Sequence, residues 1–282
     1  MKLLSILATA LMICASAFAQ NAAQENHDLG YTDTPQLPGQ RFKVHDPSRP
    51  HPHQVTPADK PGGAPSDATV LFDGKNLAAW QVRTPERQRP GAPKTWKVEN
   101  GYMEVAPGAS DLATKERFGN FQLHIEWAAP AEVRGNSQGR GNSGIFLQGL
   151  YEIQVLDDWN NPTYADGQAG AIYGQTPPLA NPARKPGQWQ TYDIVFEAPQ
   201  VEDEKIAEPA YVTAFLNGVL LHNHKAVLGP TVHRQLPSYD DGGASQVAAA
   251  FGGPLVLQDH GNPVRYRNIW IRPIGKYDAR EK

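Results

Sequence analysis

The chain has 282 residues, with 26 Lys and Arg against 29 Asp and Glu, a formal net charge of −3 and a single cysteine. So even a charge balance leaves no basic footprint for nucleic acid. One cysteine excludes an internal disulfide framework and a cysteine-rich metal site, so a chain of this length must rely on burying one or two hydrophobic cores.

The first residues read MKLLSILATALMICASAFAQ: one lysine, an apolar run from Leu3 to Ile13, then Ala17-Phe18-Ala19 as a small-x-small cleavage signal. The run is shorter than the roughly 20 residues of a membrane span. We read residues 1–19 as a secretory signal peptide, predict no transmembrane segment, and expect an exported protein, periplasmic or extracellular. Cys14 falls inside that segment, and Ile13 before it is too large for the usual lipoprotein processing site.

Residues 20–68 are rich in proline, histidine and polar groups and carry neither a helical nor a strand period. They read as an extended N-terminal arm that Tyr31, Leu37, Phe42 and Val44 could anchor. His51 and His53 flank a proline, but with no third ligand in view solvated linker histidines are the simpler reading.

From residue 69 to residue 276 the chain changes character, and residues 277–282 form a short tail. Short apolar or alternating segments follow one another: TVLF, TWKVENGYMEV, NFQLHIEWA, GIFLQ, YEIQVLD, QTYDIVFEA, YVTAFLNGVLLHN, PLVLQDHG and VRYRNIWIRPI. Turn signals separate them, among them Asn100-Gly101, Asn217-Gly218 and Gly261-Asn262-Pro263. No amphipathic helix exceeds about two turns. Many short antiparallel strands without intervening helices imply an all-β fold, a two-sheet β-sandwich or jelly roll. Proline- and glycine-rich insertions at Arg83–Lys94, Trp159–Gln188 and Gly229–Gly253 are long loops of the kind that carry binding on a rigid scaffold.

Within GNSGIFLQGLYEIQVLDDWNN, a two-residue turn at Gly149-Leu150 would pair Leu147 with Glu152, Phe146 with Ile153 and Ile145 with Gln154. Phe146, Ile153 and Val155 would then face the core, and Glu152 and Gln154 would share the other face with Ile145 and Leu147. In FQLHIEW, Phe121, Leu123, Ile125 and Trp127 alternate with Gln122, His124 and Glu126. A plain solvated face is the competing reading of such polar positions. The last hairpin adds Gln258, Asp259 and His260 before its turn and Arg265 and Arg267 after it.

The segments LFDGKNLAAW, WKVENGYMEV, DLATKERFGNFQLHIEW, GNSGIFLQGLYEIQVLD, AGAIYGQTPP, QWQTYDIVFEA, LNGVLL and LVLQDHGNPVRYRNIWIRPI together resemble the 3-keto-disaccharide hydrolase family, from about Val70 to Ile274. The resemblance implies a concanavalin A-like jelly roll whose concave face holds sugar, in an exported protein of glycan-degrading bacteria. An ordinary glycosidase needs two carboxyls about 5–5.5 Å or 6.5–9.5 Å apart, whereas the key strand offers Glu152 alone. A 3-keto sugar needs something else: a base to take the acidified C-2 proton, a donor for the leaving oxygen, and hydrogen bonds to the enolate.

Glu152 and His260 are the candidate base and acid, in an order left open. Asp157 is the candidate that orients one of them or binds sugar hydroxyls or a cation; a turn residue is its alternative. Lys115, Asn142 and Arg267 are candidate anchors for enolate or ring hydroxyls, with Glu126, Ser143, Gln154 and Gln258 as further substrate contacts. Their alternatives are a solvated Lys115, an Asn142-Ser143 pair that shapes a bend, and an Arg267–Glu126 ion pair. Trp159, Tyr173 and Trp189 could stack on sugar. The HNH run at His222–His224 lacks a complete ligand set, so no cofactor is assigned, while a divalent cation such as calcium stays open. The expected substrate is a 3-keto-glycoside whose ketone a separate oxidoreductase supplies. A non-catalytic, lectin-like carbohydrate-binding module and a structural envelope protein are the alternatives.

Overall fold

Period-two alternation of apolar residues builds the molecule. In the computed structural model, which describes residues 29–275, strands run β1 Thr69–Phe72, β2 Trp80–Val82, β3 Lys97–Glu99, β4 Tyr102–Glu104, β5 Leu112–Thr114, β6 Phe121–Ala128, β7 Ser143–Leu147 and β8 Tyr151–Val155. They continue as β9 Gln190–Glu197, β10 Gln200–Glu202, β11 Lys205–Glu208, β12 Tyr211–Leu216, β13 Val219–Ala226, β14 Val256–Leu257 and β15 Arg265–Pro273. An α-helix, α1, spans Ala244–Phe251, and short 3-10 turns lie at Pro85–Arg87, Ser137–Gly139 and Ala165–Gly167. The signal peptide read at residues 1–19, and the tail at 277–282, lie outside the described residues. Among the described residues no helix is long and apolar enough to cross a membrane.

The strands form an eight-stranded sheet in the order β13-β12-β9-β6-β15-β4-β3, with β1 also on β15, and a five-stranded sheet in the order β2-β5-β14-β7-β8. All the pairings are antiparallel. A separate ribbon joins β10 to β11. Leu123, Ile125 and Trp127 of the large sheet and Ile145, Tyr151 and Ile153 of the small one belong to the same buried cluster, and Tyr151 packs on Phe196 at 5.6 Å between centroids. The fold is therefore the β-sandwich expected. Two-residue turns hold as read: Leu216 pairs with Val219 around Asn217 and Gly218, whose φ values of 52° and 81° suit a tight hairpin.

One register departs from the expectation. Leu147 pairs with Tyr151, Phe146 with Glu152, Ile145 with Ile153 and Gly144 with Gln154. The connection is three residues, Gln148 to Leu150, because both Gln148 and Gly149 take positive φ. That one-residue difference moves Ile145 and Leu147 into the core and turns Phe146 outward beside Glu152 and Gln154.

The chain divides into two units at His53. In the first, Leu37 N–H donates to Phe42 O, Gln36 bridges Lys43, and Phe42 is buried with the Arg41 guanidinium 4.7 Å from its ring centroid. In the second, the later part of the arm is tied to the large sheet. Gly62 O accepts from Asn268 Nδ2 and Trp270 Nε1, both at 2.9 Å, and Arg272 is bidentate to Asp67.

Beneath Gly62 the His124 ring stacks on Trp270 at 5.2 Å and 7°, with Asp193 2.7 Å from Nδ1 and Glu126 3.8 Å from Nε2. Burial alone would depress the His124 pKa; hydrogen bonds to Asp193 and Glu126 outweigh it and raise the pKa to about 9. Arg267 completes the charged surroundings through Glu126. A folded pKa above the ordinary value of about 6.5 stabilises the fold fully below that value, and the stabilisation fades as pH rises through about 9. The expected outcome is that wild-type protein loses thermal stability between pH 6.5 and 9.5 more steeply than His124→Asn. Parallel melting curves for the two proteins across that range would contradict it.

Candidate active site

The small sheet carries two faces of opposite character, and its outer one is polar. Opposed residues share a face, so Val256, Phe146 and Glu152 form one row across β14, β7 and β8, and Gly144 and Gln154 begin the next. Gln258 joins that second row, its N–H donating to Gly144 O. Asn142, two residues before Gly144, extends the same face. The result is a cavity of about 320 Å3 with Glu152, Gln154, Asn142, Gln258 and His260 on its walls.

Gly144 makes the hollow. A side chain there would collide with Glu152 Oε1, which lies across the glycine. Glu152 is 5% exposed, and its carboxyl has no hydrogen-bond partner among the described residues. Desolvation, with a smaller contribution from Asp111, pushes its pKa up to about 8. Gln154 Oε1 and Gln258 Oε1 are likewise buried without a partner. Three acceptors on one cavity wall, each costing on the order of 1–3 kcal/mol when left unpaired, are groups that ligand hydroxyls or water can satisfy.

Loops complete the walls. The segment at residues 170–173 runs beside the edge strand β8: Gln154 N–H donates to Ala171 O and Tyr173 N–H to Glu152 O. The loop after Gly229 is pinned on the same edge, since Thr231 N–H donates to Leu150 O while its Oγ1 accepts from Glu152 N–H at 3.0 Å. These two loops bring up Tyr173 and His233, whose Nδ1 is 3.3 Å from the phenol; Tyr164 OH lies 2.6 Å from it on the other side. His260 sits on an exposed hairpin held by Asp259, which accepts from Gly108 N–H and Ser110 N–H.

The structure thus brings together Glu152, His260, Asn142, Gln154 and Gln258. It places the others elsewhere. Asp157, expected to orient the acid or base, is instead locked by Arg140 at 2.6 Å and caps the Trp159 N–H at 3.3 Å, outside the Glu152 cavity. Ser143 alternates with Gly144 and so points into the sandwich, where its hydroxyl donates to Gln258 O and accepts from Tyr266 OH. Lys115 Nζ donates to Ala78 O. Glu126 and Arg267 pair with each other at 2.6 Å on the outer face of the large sheet, across the core from Glu152. His222 is buried, with Nε2 2.8 Å from Gly170 O, and His224 stacks on Tyr211 at 4.2 Å. Among the described residues no three His, Cys, Asp or Glu side chains are grouped to hold a metal ion.

Gln138, Tyr164, Thr231 and His233 escaped sequence reasoning. All come from segments with no strand period; Tyr164, Thr231 and His233 had only their membership of long insertions as a signal, and Gln138, outside those insertions, had none. Tyr173 carried no role beyond stacking.

The chain matches the model of the 3-keto-alpha-glucoside-1,2-lyase-like domain over residues 67–272. It belongs to that family. A solved structure from Parabacteroides distasonis ATCC 8503, of a candidate glycosyl hydrolase, is 46% identical, with 84% of this chain and 99% of that chain covered and a TM-score of 0.71. A second candidate glycosyl hydrolase from the same organism is 21% identical over 79% of this chain and 100% of that one, TM-score 0.50, a likeness of fold. No curated protein matches the chain. The family and the 46%-identical neighbour support a glycoside-acting, glycosidase-type enzyme with a carbohydrate substrate.

A methyl group at residue 144 tests the glycine hollow directly. Gly144→Ala is expected to keep the fold, displace the Glu152 carboxyl toward water and lower its pKa toward 4.5, read by carboxyl-carbon NMR titration. A carboxyl still titrating near 8 in the variant would refute this steric account.

Proposed function

We propose that this protein cleaves 3-keto-glycosides by elimination and hydration, with Glu152 as the base. The observation that carries the reading is a desolvated carboxyl, poised near neutral pH and without a hydrogen bond from the described residues, on a sugar-sized cavity wall. The family description, which names a 1,2-lyase of 3-keto-α-glucosides, supports both the substrate class and the bond order of events.

A ketone at C-3 acidifies the proton at C-2. Ionised Glu152 takes that proton, the electron pair forms the C1–C2 double bond, and the C1–O bond breaks with protonation of the leaving oxygen by His260 at the rim. Water then adds: its hydroxyl bonds to C-1 and its proton returns to His260, while C-2 regains a proton from Glu152, giving a free 3-keto sugar and the released alcohol. Asn142, Gln154 and Gln258 hold ring hydroxyls, using the two unpaired amide oxygens as acceptors. A single carboxyl suffices for this route, unlike the paired carboxyls of an ordinary glycosidase. The reading requires a separate oxidoreductase that installs the ketone, and the N-terminal residues favour action outside the cytoplasm.

A base with a pKa of about 8 is mostly protonated at neutrality, so kcat/KM should rise with pH as Glu152 ionises and fall again where the acid that protonates the leaving oxygen loses its own proton, a bell-shaped profile. Glu152→Gln should lower kcat by about 10²–10⁴-fold and abolish that rise. The assay is release of free sugar from 3-keto and unoxidised forms of one disaccharide. A fully active Glu152→Gln, or tight binding of the unoxidised sugar with no turnover of either form, would replace this reading with a different base or with a binding module.

A further inference from the structure

A second cleft, of about 570 Å3, adjoins the Glu152 cavity. The two share a wall. Asn142 and His260 line the first, and their chain neighbours Gly141 and Gly261 line the second; Gly141 N–H donates to Asn262 Oδ1 and so ties the two wall segments together. A glycoside held at Glu152 can direct its leaving group past His260 into this space.

The chemistry of the cleft is specific. It is lined by Pro107, Pro130 and Pro263, with Val133 beside them, and among the described residues no aromatic side chain lines it. Carbohydrate faces are ordinarily bound by stacking sugar C–H groups on an aromatic side chain, and here the protein has none to offer. The complementary arrangement reverses the partners: aliphatic C–H from the protein against a π-face from the ligand. Arg134 and Arg140 add guanidinium groups, which also favour a π-face. Their charges are balanced, Arg134 by Glu132 at 2.9 Å and Arg140 by Asp157 at 2.6 Å, so the cleft selects for an uncharged ring.

We propose that this cleft is an aglycone site for a neutral aromatic group, so that aryl 3-keto-glycosides are substrates of this enzyme. The assignment rests on the reading of Glu152 given above and extends it to the leaving group. The aryl group leaves as a phenol when the C1–O bond breaks.

The test compares full-length wild type with Val133→Glu, a substitution at a half-exposed loop position outside the Glu152 cavity. Phenyl, methyl and disaccharide 3-keto-glucosides are assayed for kcat/KM with both proteins. Because each substrate is compared with itself, differences in leaving-group reactivity cancel. The expected result is a loss on the order of tenfold for the phenyl glycoside, carried by KM, with less than about twofold change for the methyl glycoside. Equal change for phenyl and methyl substrates would overturn the aglycone site while leaving the Glu152 reading intact. A loss for the disaccharide as large as for the phenyl glycoside would make a second sugar the occupant and overturn the aromatic assignment. No turnover of any 3-keto substrate by wild type would overturn both.

Discussion

Glu152 is buried on a strand with no donor for its carboxyl among the described residues, and the surrounding structure is arranged around that fact. A desolvated carboxylate without partners raises its own pKa instead of staying charged. Holding it there requires a rigid floor, supplied by β7 and β14, and a missing side chain, supplied by Gly144. It also requires the three-residue connection from Gln148 to Leu150, because a two-residue turn would have put Leu147 opposite Glu152 and left the carboxyl no hollow. The core beneath, with Ile145, Tyr151 and Ile153 fully buried, keeps that register from slipping.

The two outer faces of the sandwich have been put to different uses. On the large sheet, polar side chains satisfy one another: Glu126 with Arg267 and Asn268, His124 with Asp193, Gly62 O with two donors from β15. On the small sheet, polar side chains are left wanting, with Gln154 and Gln258 each carrying an unpaired oxygen. Mutual satisfaction makes structure and its absence makes a site, since the unpaired groups can be satisfied by what enters. The same contrast separates Glu152 from Asp157, five residues apart: the second has its arginine and braces the loop, and the first has nothing.

Much of this was legible in the chain. The strand segments, the hairpin turns at Asn100-Gly101 and Asn217-Gly218 and the all-β class follow from alternation and turn chemistry, which act over a few residues. Glu152 and Gln154 stood out because polar residues interrupt an apolar strand there, and Gln258 and His260 because they precede the turn of the last hairpin. Tyr164, Thr231 and His233 did not, since each reaches the cavity from a long loop whose path depends on hydrogen bonds to a distant edge strand. Ser143 was misplaced for a different reason: it neighbours Asn142 and Gly144, and adjacent strand residues point to opposite faces.

By itself the sequence determined the class of fold, the order of its strands, the family and the residues with unusual polarity, because all of these are carried by local pattern. Only the tertiary structure decided which of those polar residues meet. Glu126 and Glu152 look alike along the chain, each an acid alternating with apolar neighbours, yet they lie on opposite sides of one core because their strands belong to different sheets. Which sheet a strand joins is settled by pairing between distant segments, and that pairing leaves no local mark.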